Sequence, residues 1–328
     1  MQVDLQVWLI TVATITCVFV FDFTVAARRP HAVSMREASM WTAIYVTAAL
    51  VFGVYVAITY GGDYGGQFYA GWLTEYSLSV DNLFVFVIIM SRFRVPRENQ
   101  QFVLLVGIAL ALIMRAGFIA LGAAAIARYS WVFYIFGAFL VYTAYKLAAH
   151  SEEESEEFRE NRVIGIVRRM LPTTEVYDGN KLRTVIDGKK LFTPMLVVMV
   201  AIGTTDLLFA LDSIPAIFGL TQEPYLVFTA NAFALMGLRQ LYFLLGGLLD
   251  RLVFLSYGLA VVLGFIGVKL IFEALHTNSL PFINGGEHVE WAPEIPVTIS
   301  LGVIVVVLAV TTVASLLHTR RQTRTPER

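Results

Sequence analysis

The sequence predicts an all-α, polytopic membrane protein with nine transmembrane helices, and three observations carry that reading. Hydrophobic residues make up 57% of the 328 and charged residues only 15%, where a soluble domain has about 25% charged. The charges that exist are clumped, most densely between residues 150 and 190. Nine windows elsewhere are apolar over about 20 residues, the length that crosses the hydrocarbon layer. A soluble domain and a disordered chain are both excluded. A net charge of -1 gives no reason to expect a nucleic-acid partner. The single cysteine, Cys17, lies in an apolar run, which excludes disulfide frameworks, zinc clusters and dithiol chemistry.

The spans follow in order. Span 1, 5–26, lacks a basic leading region and a small-residue cleavage site, so it reads as a retained helix rather than a signal. Span 2 covers 40–60, and together they form an N-terminal region, 1–66. Spans 3 (67–91), 4 (102–125) and 5 (130–149) make a unit over 67–149. A charged segment, 150–191, opens with the acidic run from Ser151 to Glu157. Its Asp178-Gly179 and Asp187-Gly188 pairs, flanked by Val176-Tyr177 and Val185-Ile186, read as short hairpin turns. Spans 6 (192–218), 7 (225–248) and 8 (252–272) make a second unit over 192–272. A polar loop, 273–295, carries Glu273, His276, Glu287, His288, Glu290 and Glu294, and reads as a plain solvated loop. Span 9 (296–317) leads into a basic tail within 296–328.

Lysine and arginine accumulate on the cytoplasmic side of short loops. Nine spans with the N-terminus outside place 19 basic residues inside and only Arg128 outside, the other four being within spans. A missed or invented span would scramble that split, so it supports both the count and the orientation, with the C-terminus cytoplasmic.

The two three-span units resemble each other. Span 3 reads Thr74-Glu75, five residues, Asp81-Asn82; span 6 reads Thr205-Asp206, five residues, Asp212-Ser213. Span 4 then carries Arg115 and span 7 Arg239, while span 5 carries Lys146-Leu147 and span 8 Lys269-Leu270. Three spans is an odd number, so the units must cross the membrane in opposite directions as an inverted repeat, spans 3–5 against 6–8. In such folds a substrate site lies near the midplane, often where helices are interrupted. Gly203 and Pro215 around the acids of span 6, and Ser77, Ser79 and Asn82 in span 3, lead one to expect such interruption here.

Four carboxylates at membrane depth cost on the order of 10–14 kcal/mol on insertion scales. Such groups pair, titrate or bind a cation. Six residues on a regular helix turn through about 120°, so Glu75 and Asp81 share a face only if the helix unwinds between them. Opposed halves set Glu75 near the depth of Asp212 and Asp81 near that of Asp206, so the four are expected to converge on a midplane cavity. With Asn82 and Ser213 they offer only hard oxygen ligands, suited to Mg²⁺, Ca²⁺ or Mn²⁺. Met199 is the one softer donor on a similar face, and packing is its ordinary role. Arg115, Arg239, Lys146 and Lys269 would balance the charge of an empty site. The same residues also admit a purely structural reading, in which the bases neutralise the acids and hold the spans together. Enzyme signatures are missing: no GxxxxGK[ST], HExxH or GxSxG occurs, and no permanently bound cofactor is expected.

The stretches E-Y-S-L-S-V-D-N-L-F-V-F from Glu75, F-A-L-D-S-I-P-A-I-F over 209–218 and N-A-F-A-L-M-G-L-R over 231–239, with Arg115 and the G-V-K-L over 267–270, strongly resemble the TerC/Alx family of bacterial integral membrane proteins. The resemblance covers roughly residues 35–275. It implies a multi-pass protein of the bacterial plasma membrane, related to LysE-type exporters and linked by family name to tellurite resistance. It also implies that the transported ion is Mn²⁺, exported through Glu75, Asp81, Asp206, Asp212, Asn82 and Ser213 as ligands. Many members carry a Glu shortly before the position of Asp206, where this chain has Gly203-Thr204-Thr205. Two other functions stay open at this point: a membrane scaffold in a tellurite or stress-response assembly, docking partners or further copies through the 150–190 segment, and a LysE-like exporter of organic cations. Membrane lipid surrounds the chain on every reading.

Overall fold

The structure, a computed structural model, describes residues 1–28, 34–149, 172–174, 176–186, 188–245 and 253–322; the side chains of residues 25–28, 81, 84, 245 and 320–322 are not described. Nine long helices stand among these residues: α1 Leu5–Arg28, α2 Met35–Tyr60, α3 Gly62–Arg92, α4 Arg97–Arg128, α5 Val132–Ala149, α6 Pro194–Phe218, α7 Pro224–Leu245, α8 Leu255–His276 and α9 Val297–Gln322. They match the nine spans, and a strand pair, β1 Arg183–Ile186 with β2 Lys189–Phe192, is the one sheet among the described residues. Eight of the nine are long and apolar enough to cross a membrane. The other, α7, buries Thr229, Asn231, Arg239 and Gln240. These polar groups sit where α2, α3 and α4 pack against it.

Local signals set the helix ends. The Ser34 hydroxyl accepts the Glu37 backbone N–H at the start of α2, with the acid itself in the first turn. Gly61 alone separates α2 from α3 at φ 113, a conformation that a side chain resists. Thr193 followed by Pro194 opens α6, where proline's missing N–H costs nothing.

The packing is closed under exchange of the two halves. The most extensive contact is α5 on α8; α3 packs on α7 as α4 packs on α6. Exchanging α3, α4, α5 for α6, α7, α8 maps the first of these contacts onto itself and the other two onto each other. Glycines give the register. A Cβ on Gly107 would meet Ile202, one on Gly203 would meet Leu110 and one on Gly122 would meet Phe218, so α4 and α6 run parallel. Gly71 faces Ala230 and Gly237 faces Tyr76, so α3 and α7 are parallel too. Gly137 against Ile271 and Gly264 against Ala144 make α5 and α8 antiparallel. Parallel pairs are those an even number of spans apart, as strict alternation across a membrane requires.

The connections sort into two ends in the same way. At one, Tyr177 donates to Phe93 O (2.8 Å) and Asn99 to Gly179 O (3.2 Å), docking the hairpin segment on the α3–α4 corner. At the other, Thr221 bonds Gln67 (2.6 Å), Gln222 bonds Glu273 (3.1 Å) and Ser130 meets Ser279 (2.9 Å). The Lys and Arg of the described connections lie mostly at the first end. β1 and β2 pair antiparallel with Ile186 opposite Lys189, closing the predicted turn, and Gly188 takes the positive φ of 76 it needs. The Asp178-Gly179 turn is closed by Lys181 N–H to Asp178 O (3.1 Å). The acidic run 151–157 lies outside the described residues.

One expectation is corrected. Neither α3 nor α6 is interrupted: each runs as one helix through its acids, with Pro215 inside α6 near its C-terminal end. The small polar residues satisfy themselves without unwinding anything. Ser77 donates back to Leu73 O at 2.7 Å, Thr204 to Val200 O at 2.7 Å, and Ser79 to the Glu75 carboxylate at 3.4 Å.

Candidate functional site

An uninterrupted α6 keeps residues six apart on different faces, and the acids divide accordingly. Asp206 is buried at the centre of the bundle; Asp212 is half-buried against α5, where Thr143 Oγ1 donates to Oδ1 at 3.4 Å. The central group is built on Arg115 of α4, which is completely buried. Its Nε and Nη2 donate to Asp206 Oδ2 and Oδ1, both at 3.2 Å, a two-pronged match of guanidinium to carboxylate. Its Nη1 donates to Glu75 Oε1 in a close ion pair, to Ser213 Oγ at 3.1 Å and to Asn231 Oδ1 at 2.9 Å. Helices α3, α4, α6 and α7, two from each half, therefore meet at one guanidinium.

The pairing follows from directions already given. α3 and α6 pass antiparallel, with Gly71 against Ile217, which brings Glu75 level with Ser213. An arginine leans toward the N-terminal end of its helix, so Arg115 reaches back along the parallel α6 to Asp206. The Asn231 amide is aimed by its own Nδ2, which donates to Val227 O at 3.2 Å.

Charge within this group does not balance. Two carboxylates share one guanidinium, and Glu75 Oε2 is a buried oxygen with no hydrogen-bond partner among the described residues. A buried excess of negative charge is expensive unless a proton or cation joins it. Ser213 and Asn231 add neutral oxygens, so the donor set remains wholly hard.

The remaining candidates are placed elsewhere. Asn82 is buried on α3; the Asp81 side chain lies outside the described residues. Met199 is buried within the apolar cluster that includes Val103 and Ile202, in an ordinary packing role. Lys146 is exposed on α5 and its charge acts on Asp212, while Lys269 on α8 acts with Glu273, one turn on. Arg239 does not join the central acids. Its Nη2 stands 3.4 Å from Asp22 Oδ2 of α1, an oxygen that also accepts Tyr45 OH of α2 at 2.8 Å. Asp22, which sequence position suggests is interfacial, is buried. The 273–295 loop forms a cleft lined by Glu287, His288, Glu290 and Trp291. Among the described residues no three of His, Cys, Asp and Glu stand together as a group able to hold a metal ion, so the four-acid convergence is seen only as the pair Glu75 and Asp206. Sequence reasoning did not assign Asn231 to the site, although an amide at membrane depth, opening the N-A-F-A-L-M-G-L-R stretch, is its signal.

The profile of the integral membrane protein TerC family matches residues 60–323. This chain belongs to the TerC family. It is 50% identical over 317 residues to an uncharacterised membrane protein of Mycobacterium tuberculosis, covering 96% of this chain and 80% of that one. It is 42% identical over 231 residues to the chloroplastic thylakoid membrane protein TERC of Arabidopsis thaliana (70% of this chain, 60% of that one). It is 36% identical over 301 residues to a provisionally named membrane-bound redox modulator, Alx, of Salmonella typhi (89% and 88%). No solved structure matches it. The TerC match spans all four helices of the Arg115 group and both three-helix halves.

Proposed function

We propose that this TerC-family protein exports a divalent cation, Mn²⁺, across the bacterial plasma membrane, by exposing a midplane carboxylate site alternately to either side. The observation that carries the reading is the Arg115 group: two buried carboxylates, one from each inverted half, sharing one positive charge and lined by further oxygens. A divalent cation at Glu75 and Asp206 would reverse the group's one excess negative charge to one positive, which Asp81 or Asp212 along the path of entry and release could offset, with Asn82 and Ser213 as neutral ligands. Oxygen-only chemistry favours hard ions, and Mn²⁺ is the member of that set which the family resemblance implies. The name redox modulator, given to the Salmonella relative, finds no dithiol here to act through, since Cys17 is the one cysteine.

Mn²⁺ flux in proteoliposomes tests the reading. Glu75→Gln and Asp206→Asn should each lower flux at least about tenfold, the scale of losing a charge-assisted ligand; wild-type flux in both would sink it. Asp81→Ala and Asp212→Ala, measured beside them, say whether the outer acids belong to the path. In cells, a deletion strain given excess Mn²⁺ should accumulate manganese by elemental analysis.

A second reading is favoured by one fact: Arg115 already fills the space between the acids, as a structural brace would. In that case the protein is a scaffold, the acids serve only folding, and docking falls to the 150–191 segment. Deleting that segment then abolishes the stress-resistance phenotype while cellular metal content stays normal.

A further inference from the structure

The repeat gives Arg115 and Arg239 equivalent places, yet the structure uses them differently. Arg115 carries two acids. Arg239, its counterpart, stays buried but turns away from the central acids: its Nη2 lies 3.4 Å from Asp22, and the Gln240 amide oxygen, turned toward it, accepts from Nε (3.2 Å) and Nη2 (2.7 Å). Its Nη1 is buried and has no partner among the described residues. So is Glu75 Oε2. One orphaned buried donor and one orphaned buried acceptor of opposite charge stand on two helices in contact, α7 and α3. Each such atom forfeits about 1–3 kcal/mol while unpaired, and native proteins rarely leave one without a reason.

The register sets the two groups at compatible depths, with Arg239 about 200° round α7 from Gly237, so the exchange needs its long side chain to swing round the helix. Along the parallel α3 and α7, Gly71 lies against Ala230 and Tyr76 against Gly237, so Arg239 stands level with Ser79. Leaning one turn toward its N-terminus, as Arg115 does to reach Asp206, it comes level with Glu75.

We propose that Arg239 is a built-in competitor for the transported cation: Glu75 passes from Arg115 and the cation to Arg239, and Asp22, Tyr45 and Gln240 are the berth that keeps Arg239 away in the cation-accepting state. This deepens the transport reading and rests on it. In the state described, two acids face one arginine and the site carries an unbalanced negative charge that attracts a cation. After the exchange Glu75 has Arg239 and Asp206 has Arg115; the site is neutral and the cation leaves. The asymmetry of the structure is then one half of a cycle whose other half is symmetric.

The two residues of the Asp22–Arg239 pair should consequently affect cation binding with opposite signs. In Mn²⁺ titrations by calorimetry on the full chain in detergent, Asp22→Asn frees the competitor and should weaken binding about tenfold, because the accepting state becomes a minor one. Arg239→Gln removes the competitor and should tighten binding about tenfold while slowing flux, since release loses its driving partner. Tyr45→Phe, a milder change in the berth, should act in the direction of Asp22→Asn. A static pair acts on the cation through its charges alone, which also gives opposite signs at Asp22 and Arg239, but it leaves Tyr45→Phe at wild-type affinity and Arg239→Gln with undiminished flux; either result overturns the proposal. Its failure separates from that of the transport reading. Binding that is insensitive to Glu75→Gln removes the reading, whereas Glu75-dependent binding with wild-type affinity in Tyr45→Phe, or undiminished flux in Arg239→Gln, removes the competitor alone.

Discussion

Arg115 shows how much one side chain supports at the centre of this bundle. Removing it leaves two carboxylates buried without a counter-charge, and breaking a buried pair in this way costs about 3–5 kcal/mol. Arg115→Ala should therefore lower the thermal midpoint in detergent markedly. Neutralising both acids as well, with Glu75→Gln and Asp206→Asn on that background, should restore most of the loss, since the cost is of unpaired charge rather than missing volume. At the other extreme is Asp178, half-buried in the turn that precedes the hairpin. Lys181 Nζ (3.1 Å) and Thr184 (3.0 Å) donate to its carboxylate and hold its pKa below the ordinary value. A depressed pKa means that the turn's contribution is present above the unfolded pKa and is lost only as pH falls through the lower, folded one. Amide exchange over residues 178–184 should show protection persisting to pH values below the usual carboxylate range, with Asp178→Asn removing the pH dependence. The residues read from sequence fared according to how local their partners are. Glu75, Asp206 and Arg115 were recognisable because charge at membrane depth is costly wherever it sits. Asn231 and the Asp22–Tyr45 berth were not, because their roles depend on which helix lies alongside.

Among the elements, the two inverted halves meet where side chains are smallest. A Cβ on Gly267 would lie 2.9 Å from Gly137 O and 3.0 Å from the Val141 nitrogen, and one on Gly137 would lie 2.8 Å from Gly267 O. Backbone atoms cannot swing aside, so Gly267→Ala must part α5 and α8, at about 1–3 kcal/mol. Gly302 on α9 has no atom within 4 Å of an added Cβ, and Gly302→Ala should stay within about 0.5 kcal/mol of wild type. Thermal unfolding of the pair checks the contrast. Nine helices were legible from apolar length alone, α7 included, although its polar content makes it the least membrane-like by composition. Continuity of α3 and α6 was not legible. Glycine, serine and proline weaken an isolated helix, but Ser77, Ser79 and Thr204 find acceptors within their own turn, and neighbouring helices enclose the rest.

For the molecule as a whole, the sorting of connections into two ends turns the charge count into an experiment. On a Cys17→Ser background, Trp291→Cys in the outer loop should react with an impermeant thiol reagent on intact cells. Lys189→Cys in the hairpin should react only after the membrane is opened; both positions are exposed. The reverse pattern would invert the orientation and make the proposed export an import. The inverted repeat was readable in the order of acids, arginine and lysine, because an odd number of spans leaves no other geometry. The glycine crossing of α5 and α8 has one more consequence. The two backbones come closest at these glycines, within the most extensive helix contact of the bundle, so a tilt of one helix on the other is centred there. α5 has 18 residues, about 27 Å of helix at 1.5 Å per residue, so a tilt of about 10° about its middle swings each end by about 2 Å. A lever of that length can widen one mouth of the bundle while narrowing the other, and the contact it turns on need not break.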